Sequence, residues 1–436
     1  MKKIGIFGSW HLATVIAGCM LKQNYDVTLV DYESENINKL NNNKLPIYEP
    51  YLIEIFKQNL KKKKIRFLNN IGNSFERIDT IILAKDVTKT KTGVDLSEIK
   101  KSIKIISKSK QKSFTLIISS QLPVGTSKEI EKSINYSRKN KLIHFAYIPE
   151  FLRLGTAVDD FTYQDYTIIG CENSETFKKC KSIYKHFSKN IFEMKLSEAE
   201  MAKHIANIYV ATSVSLIAEM TKVAEKMNIN LLPVSKALRY DKRIGKKSYI
   251  LPGLGFTGGN LERDINVIKN LLKENGEKPI FLNAVTKTND YHNNIILRKL
   301  EKIFKNFNNL KISFLGITYK SFTTTTVGSL TLKIGKQLQL RGSEIFAYDP
   351  LISKKHNFKI NKITISKSIT DCINNSDALI IMIDKPEFKN LSANFLKTKL
   401  RKKIIIDATN SINPKNYFKN KFYFTGIGYK TNKKLS

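Results

Sequence analysis

The feature that most constrains this chain is a rhythm of short apolar runs and helical stretches that occurs twice. Residues 3–7 form an apolar run closed by Gly8, a helix-like stretch covers about 12–22, and residues 26–31 (DVTLVD) form a second run ending in Asp31. Strand-like runs recur at 79–84, 114–120 and 143–148, with amphipathic helical stretches between them. Far downstream, residues 312–316 restart the series, and 345–350, 378–383 and 403–407 continue it. Strand-length runs alternating with helices specify parallel sheets, because a parallel neighbour is reached through a crossover helix. Between the two series lies the longest helical pattern, from Ser197 to about Met227. Ser197 is its expected N-cap, with Glu198 and Glu200 at the positive end of the helix dipole. Two more helical runs are expected at about 261–274 and 279–304. The class expected is α/β, with two Rossmann-like doubly wound domains joined by a central helical domain that contains the long helix. The expected boundaries are 1–195, 196–304 and 305–436.

At 436 residues the chain exceeds one ordinary core. No apolar run has the length needed to span a bilayer. The opening Met-Lys-Lys and apolar run weakly mimic a signal peptide, but Gly8, Ser9 and His11 interrupt it. A cytoplasmic protein is expected. The formal charge of +36 is extreme. The basic residues are dispersed, with only short runs such as 61–64, and no nucleic-acid-binding motif is present. Heavy use of Lys, Asn and Ile points to codon bias, with attraction of nucleotide phosphates as a side benefit. The cysteines, Cys19, Cys171, Cys180 and Cys372, have neither metal-binding nor disulfide-framework spacing.

The first 31 residues read as a dinucleotide-binding unit: strand, glycine turn, helix, and a strand ending in an acid. Gly8 takes the first glycine position and Ala13 the third, but Trp10 stands where the backbone must approach a pyrophosphate. Asp31 falls where a ribose diol is bound, and an acid there favours NAD over NADP. A plain βαβ unit without cofactor is the competing reading.

Residues 249–264 read YILPGLGFTGGNLERD, with five glycines or prolines. Without Cβ atoms such a backbone comes close to a ligand, and its amides cradle phosphate or sugar oxygens. A glycine-rich turn between two helices explains the same residues without a ligand. Glu150 follows the strand-like run at 143–148, at the edge where doubly wound sheets carry chemistry. Lys203 and Asn207 are four apart, so they share one face of the long helix. A lysine and an amide together suit oxyanion stabilisation and water orientation, although a solvated lysine is the simpler reading of Lys203 taken alone. His204 is read as structural.

Several of these stretches resemble the UDP-glucose/GDP-mannose dehydrogenase family, in order and over almost the whole chain. The glycine loop matches P-G-x-G-F-G-G-S-C-F-P-K-D at Pro252, Gly253, Gly255, Phe256, Gly258 and Asp264. LPIYEP at 45–50, SSQLPVGT at 119–126, PEFLRLG at 149–155, EMAKHIAN at 200–207 and GITYK at 316–320 resemble further family motifs. The resemblance implies an NAD domain, a central helical dimerisation domain and a C-terminal UDP-binding domain. It also implies oxidation of a sugar nucleotide's C6 alcohol to a carboxylate through a cysteine thioester, with two NAD reduced, and a role in polysaccharide biosynthesis. By the same resemblance Lys203, Asn207, Asp264 and Glu150 are the catalytic candidates. Gly8, Trp10, Asp31, Gln121 and Lys320 are assigned to the cofactor, and Phe151, Leu152, Arg243, Tyr249, Gly253 and Phe256 to the substrate. No metal is implied. A homodimer acting on a UDP-sugar is expected, with neither nucleic acid nor membrane as partner.

The departures fall at functional positions. Asn260 occupies the place of the family cysteine, and an amide is no nucleophile. Gln121 replaces a threonine, Leu154 a glutamate, Thr324 and Thr325 acids, and Val327 and Thr409 arginines. Three readings follow: a dehydrogenase working without covalent catalysis, a non-catalytic NAD or nucleotide-sugar binder, and a protein that uses its charge on nucleic acid or an anionic surface. The retained Lys203, Asn207 and Asp264 favour the first, and the dispersed charge disfavours the third.

Overall fold

The computed structural model describes residues 3–69, 74–75, 78–90, 93–108, 111, 113–137, 142–354 and 356–429. The chain divides into two compact units, Met1–Ala206 and Asn207–Ser436. The boundary falls inside one 32-residue helix, Leu196–Met227. That helix begins one residue before the expected cap, so Ser197 lies within it. Glu198 instead accepts from the Lys195 amide at 2.8 Å.

The first unit carries strands β1 (Lys3–Phe7), β2 (Asp26–Val30), β3 (Ile65–Leu68), β4 (Thr80–Leu83), β5 (Thr88–Lys89), β6 (Val94–Asp95), β7 (Ser113–Ile118), β8 (Leu142–Tyr147), β9 (Thr167–Gly170) and β10 (Ile191–Met194). β5 and β6 form a small ribbon. The others make one sheet in the order β10-β9-β8-β7-β4-β1-β2-β3. Neighbours from β3 to β8 run parallel, while β9 meets β8 antiparallel, so the far edge departs from the all-parallel expectation. Successive residues of the central strands serve opposite faces. Ile82 and Ile117 pack in one core, whereas Ile81, Leu83, Leu116 and Ile118 pack in the other. Burial on both faces explains why these strands read as unbroken apolar runs.

The second unit carries β11 (Lys311–Leu315), β12 (Glu344–Tyr348), β13 (Phe358–Ile360), β14 (Ile363–Ile365), β15 (Ala378–Ile381), β16 (Ile404–Asp407) and β17 (Tyr423–Gly426). Their order is β13-β14-β12-β11-β15-β16-β17, parallel except for the β13–β14 pair. The run expected at 279–304 is two helices, Ile280–His292 and Ile295–Ile303, broken at Asn293 and Asn294.

Both sheets therefore wind outward from the same kind of centre, β1 beside β4 and β11 beside β15. In such a sheet, ligands bind outside the carboxyl ends of the strands where the winding reverses. Gly8 follows β1 with φ +137°, and Gly316 follows β11 with φ +100°. Each sheet also has a buried acid after its second strand and a buried lysine after the strand across the centre. These are Asp31 with Lys85 in the first unit and Asp349 with Lys385 in the second, at Nζ–Oδ1 distances of 3.1 Å and 2.6 Å. Burial works against the Asp349 carboxylate, but the Lys385 hydrogen bond and charge hold its pKa below the usual value. Removing one partner of such a pair leaves a desolvated charge alone. Lys385→Met should therefore lower stability by about 3–5 kcal/mol, measured by urea unfolding. A loss below about 1 kcal/mol, the scale of an exposed pair, would mean that Lys385 does not hold this loop.

Candidate functional site

In the first unit the turn after β1 is closed in by β4. The Gly8 amide donates to the Val30 carbonyl at 2.9 Å. A Cβ on Gly8 would lie 2.5 Å from the Ala84 carbonyl oxygen. No side chain fits there, which is the cradle a dinucleotide turn requires. Trp10 is the N-cap of the helix His11–Lys22, and its indole is 37% exposed. The residues present thus fit NAD at the first glycine, with Trp10 at the rim of the turn. Asp31 is buried. It accepts from the Ser9 hydroxyl at 2.7 Å, the Glu33 amide at 3.2 Å and Lys85 at 3.1 and 3.3 Å.

Three residues of the long helix fix the neighbouring loops. The buried Glu200 carboxylate accepts from the amides of Gly125 at 2.6 Å and Ser127 at 2.7 Å, and from the Ser127 hydroxyl. His204 donates through Nε2 to the Leu122 carbonyl at 3.0 Å, which agrees with its structural reading. Lys203 donates to the Glu150 carbonyl at 2.7 Å and lies 4.6 Å from the Phe151 ring centroid. Gln121 is thereby held after β7, and its buried Nε2 has no hydrogen-bond partner among the described residues. Leu152 packs against the core, so its side chain is engaged in packing. Glu49, from the PIYEP stretch, accepts from the Gly155 and Ala157 amides at 2.9 and 2.7 Å, and His11 lies 2.8 Å from it. Sequence reasoning missed Glu49, Lys85 and Glu200 as organisers. Glu49 stands beside Pro50 in one quoted motif and Glu200 opens another, which was a usable signal, whereas nothing local marks Lys85.

In the second unit the glycine loop is pinned from behind. Asn289 accepts from the Phe256 amide at 2.9 Å and donates to the Phe256 carbonyl at 2.9 Å. Asn293 donates to the same carbonyl at 3.1 Å, and His292 donates to the Gly253 carbonyl at 2.8 Å. A Cβ on Gly255 would lie 2.4 Å from the Asn289 Oδ1 and 2.5 Å from the Asn293 Oδ1, so a larger residue would displace the side chains that hold the loop. Asn289, His292 and Asn293 come from the break between two helices and were not expected from the sequence. Phe256 is buried against Ala211, Ile265, Leu282 and Val285, which makes it a core residue as well as a loop residue.

A cavity of about 160 Å³ lies between this loop and the carboxyl ends of β11 and β15. Phe256, Thr257, Tyr319, Lys320 and Ile383 are among its lining residues. Lys320, expected among the cofactor contacts, is thus grouped with the loop residues assigned to substrate. Arg243 is not part of this lining. Its side chain is 89% exposed and pairs with Asp241 at 2.6 Å. Tyr249 is also exposed. Asn260 is exposed in the first turn of the helix Gly259–Glu274. Asp264, one turn on, is fully buried and accepts from the Asn207 side-chain amide.

All four cysteines are buried. Burial pushes the thiols of Cys19 and Cys372 up to about 12 and Cys171 to about 11, and raises Cys180 further. None has the thiolate character a nucleophile needs. Glu150 is the other strongly perturbed group. Burial pushes its pKa up to about 8, against a smaller opposing effect of Lys203 and the Tyr184 hydroxyl. The folded protein then keeps a proton at Glu150 that the unfolded chain has released. The contribution of Glu150 to stability is therefore fully present below the ordinary value of 4.5 and is lost as pH rises toward about 8. Glu150→Gln imitates the protonated form and should flatten the decline in Tm over that window. A Glu150→Gln profile parallel to wild type would show that Glu150 is ionised throughout.

Three family models match the chain in succession. They are the NAD binding domain of the UDP-glucose/GDP-mannose dehydrogenase family over residues 2–188, its central domain over 197–291 and its UDP binding domain over 313–414. The UDP-glucose 6-dehydrogenase TuaD of Bacillus subtilis is 27% identical over 413 residues, covering 94% of this chain and 89% of the relative. The UDP-glucose 6-dehydrogenase of Rickettsia conorii is 29% identical over 433 residues, covering 98% and 99%. A UDP-glucose dehydrogenase structure from Pyrobaculum islandicum matches with a TM-score of 0.88 at 20% identity, over 99% of this chain and 98% of that one. A UDP-D-ManNAc dehydrogenase from Pyrococcus horikoshii matches at 0.84 and 23% identity, over 98% and 99%. At those identities the structural likeness speaks for the fold alone. With all three models matched in order, the chain belongs to the UDP-glucose/GDP-mannose dehydrogenase family, the NAD-dependent nucleotide-sugar dehydrogenases.

Proposed function

We propose that this chain oxidises the C6 alcohol of a UDP-sugar, with UDP-glucose the first candidate, and does so without a cysteine thioester. The observation that carries this reading is that all four cysteines are buried while Asn260, which the motif resemblance sets at the family's thiol position, is exposed. Bound NAD supplies the hydride acceptor. Gly8 and the start of the following helix receive the dinucleotide phosphates, and Gln121 stands at the neighbouring strand end. Lys203, anchored by the Glu150 carbonyl, stabilises negative charge that develops on the substrate oxygen. Asp264 and Asn207, already hydrogen-bonded to each other, orient water. The glycine loop with Tyr319 and Lys320 receives the nucleotide-sugar, to which Arg243 and Tyr249 are further contacts. The alcohol loses a hydride and a proton to give an aldehyde. Water adds to give the hydrate, and loss of a proton and of a second hydride, for which a second NAD would be the acceptor, gives the acid. In place of a covalent intermediate, the water held by these polar side chains carries the second step.

The three-part division at 195/196 and 304/305 remains our reading, alongside a cytoplasmic location. Among the described residues no helix is long and apolar enough to cross a membrane. We also propose a homodimer. Tyr209, Leu216, Met220, Val223 and Met227 are exposed along the long helix at spacings that keep large apolar groups on one side. Leu216→Glu with Val223→Glu should convert a dimer to a folded monomer in sedimentation velocity. A wild-type monomer would refute the assembly.

The activity is tested by NADH formed per sugar nucleotide consumed, with and without prior thiol alkylation, and with Lys203→Ala. Two NADH per sugar, insensitive to alkylation and abolished in Lys203→Ala, is the expected result. One NADH would limit the reaction to the aldehyde. Loss on alkylation under native conditions would restore a thiol route. Absence of turnover across a panel of UDP-sugars, with binding retained, would make the chain a binding protein.

A further inference from the structure

Positive charge that is dispersed along the sequence is gathered by the fold of the second unit. Strands β14, β12, β11, β15, β16 and β17 run parallel. Their amino ends therefore share one edge, opposite the carboxyl edge that carries the cavity. The chain reaches most of these strands from the end of a helix, where a cation complements the negative end of the dipole. Lys305 precedes β11, Arg341 precedes β12 and Lys362 precedes β14, all exposed. Arg401 and Lys402 precede β16 and Lys421 precedes β17, again exposed. Strands about 4.8 Å apart spread these groups over roughly 24 Å. Neighbouring strand ends lie within a Debye length, about 8 Å at physiological salt, so their fields add.

The carboxylates beside these cations are largely engaged. Asp377, at the start of β15, is buried, accepts from the Lys311 amide at 2.9 Å, and pairs with Arg401 and, at 3.8 Å, with Lys402. Glu301 pairs with Arg341 at 2.6 Å, and Glu344 is exposed at the start of β12. The carboxyl edge of the same sheet is matched more evenly, with Lys385 on Asp349 at 2.6 Å and Lys389 on Asp384 at 2.8 Å. The aromatic rings at the amino edge are covered. Lys402 lies 5.0 Å from the centroid of Phe304 and Arg341 5.5 Å from that of Phe307, both buried rings. They offer no platform on which a nucleobase could stack. Leu340 does the opposite: beside Arg341, at the C-cap of the helix Leu330–Gln339, it is 80% exposed.

We propose that the amino edge of the second sheet is a docking face for an anionic lipid surface, with Leu340 entering the interface among the cations. A broad face of cations suits a flat array of anionic headgroups, and each cation near the surface adds to the attraction. The leucine gains by leaving water at a lipid boundary, whereas the phosphates of a duplex give it nothing. Docking by this edge leaves the cavity at the opposite edge of the sheet turned away from the lipid. It requires none of the chemistry proposed above.

The test is flotation of the full chain with vesicles of phosphatidylglycerol and phosphatidylcholine, and with phosphatidylcholine alone, at about 0.15 M salt. Binding to the first and not the second is expected. Lys305→Glu with Lys362→Glu and Lys421→Glu should weaken that binding about a hundredfold, the share of three cations. Lys61→Glu with Lys62→Glu and Lys63→Glu removes the same charge from an exposed run of the first unit. Because salt screens charge outside the contact, this control should weaken binding less than about fivefold. Leu340→Ser should weaken it about tenfold with Tm unchanged, and this single exposed change keeps the test should the triple variant fail to fold. Equal loss in both triple variants would reduce the effect to net charge and overturn the assignment, as would absence of binding to the anionic vesicles. Full vesicle binding by Leu340→Ser would overturn the lipid contact. A DNA duplex bound more tightly than the vesicles at the same salt would make the face a nucleic-acid surface instead.

Discussion

A carboxylate buried at the end of a strand has to find hydrogen-bond donors, and in this chain it finds them in the loops that carry function. Asp31, Glu49, Glu200, Asp349 and Asp407 are all buried, and each accepts from at least one backbone amide. The loops they fasten are the turn after β1, residues 153–157, the turn at 123–127, the turn after β11 and the segment at 409–412. An unsatisfied buried ion is strongly unfavourable, so each acid has essentially one loop arrangement available to it. The sheets supply the scaffold and these acids set where the loops stand on it. In a chain with 38 acids against 74 lysines and arginines, Asp31, Asp349 and Asp407 stand at the ends of strands, whereas Glu49 lies in a loop and Glu200 in the long helix.

The same logic separates the two halves of the glycine loop. Its back is held by neutral amides, Asn289 and Asn293, which both donate and accept and so satisfy the Phe256 backbone on both sides. Leu254 to Thr257 line the cavity, and beyond them Gly259 and Asn260 are exposed at the start of the next helix. The loop is held by these contacts from Asn289 and Asn293 whatever residue stands at position 260.

Much of this was legible in advance for a definable reason. Strands buried on both faces show as unbroken apolar runs, so β1, β2, β4, β7 and β8 and the second series were visible to within a residue or two. β9 and β10, each only four residues long, were not expected at all, so the reversed direction of β9 could not be either. The break at Asn293 was hidden because asparagine is tolerated in helices and the apolar spacing continues past it. Motif resemblance pointed to Lys203, Asn207 and Asp264, but not to Glu49, Lys85, Glu200, Asn289 or His292. Those residues act through contacts between segments distant in sequence, such as Glu49 with Ala157.

The sequence by itself determined the α/β class, the two windings, the family and the absence of a usable thiol at position 260. Each of these is written in local periodicity, in turn chemistry or in the identity of a single residue. Only the tertiary structure decided that Asp31 is buried beside Lys85 and that Glu150 carries a raised pKa. The physical reason is that desolvation and charge pairing depend on which segments meet. Burial of a carboxylate, and the donors that surround it, exist only once strands far apart in the chain lie side by side.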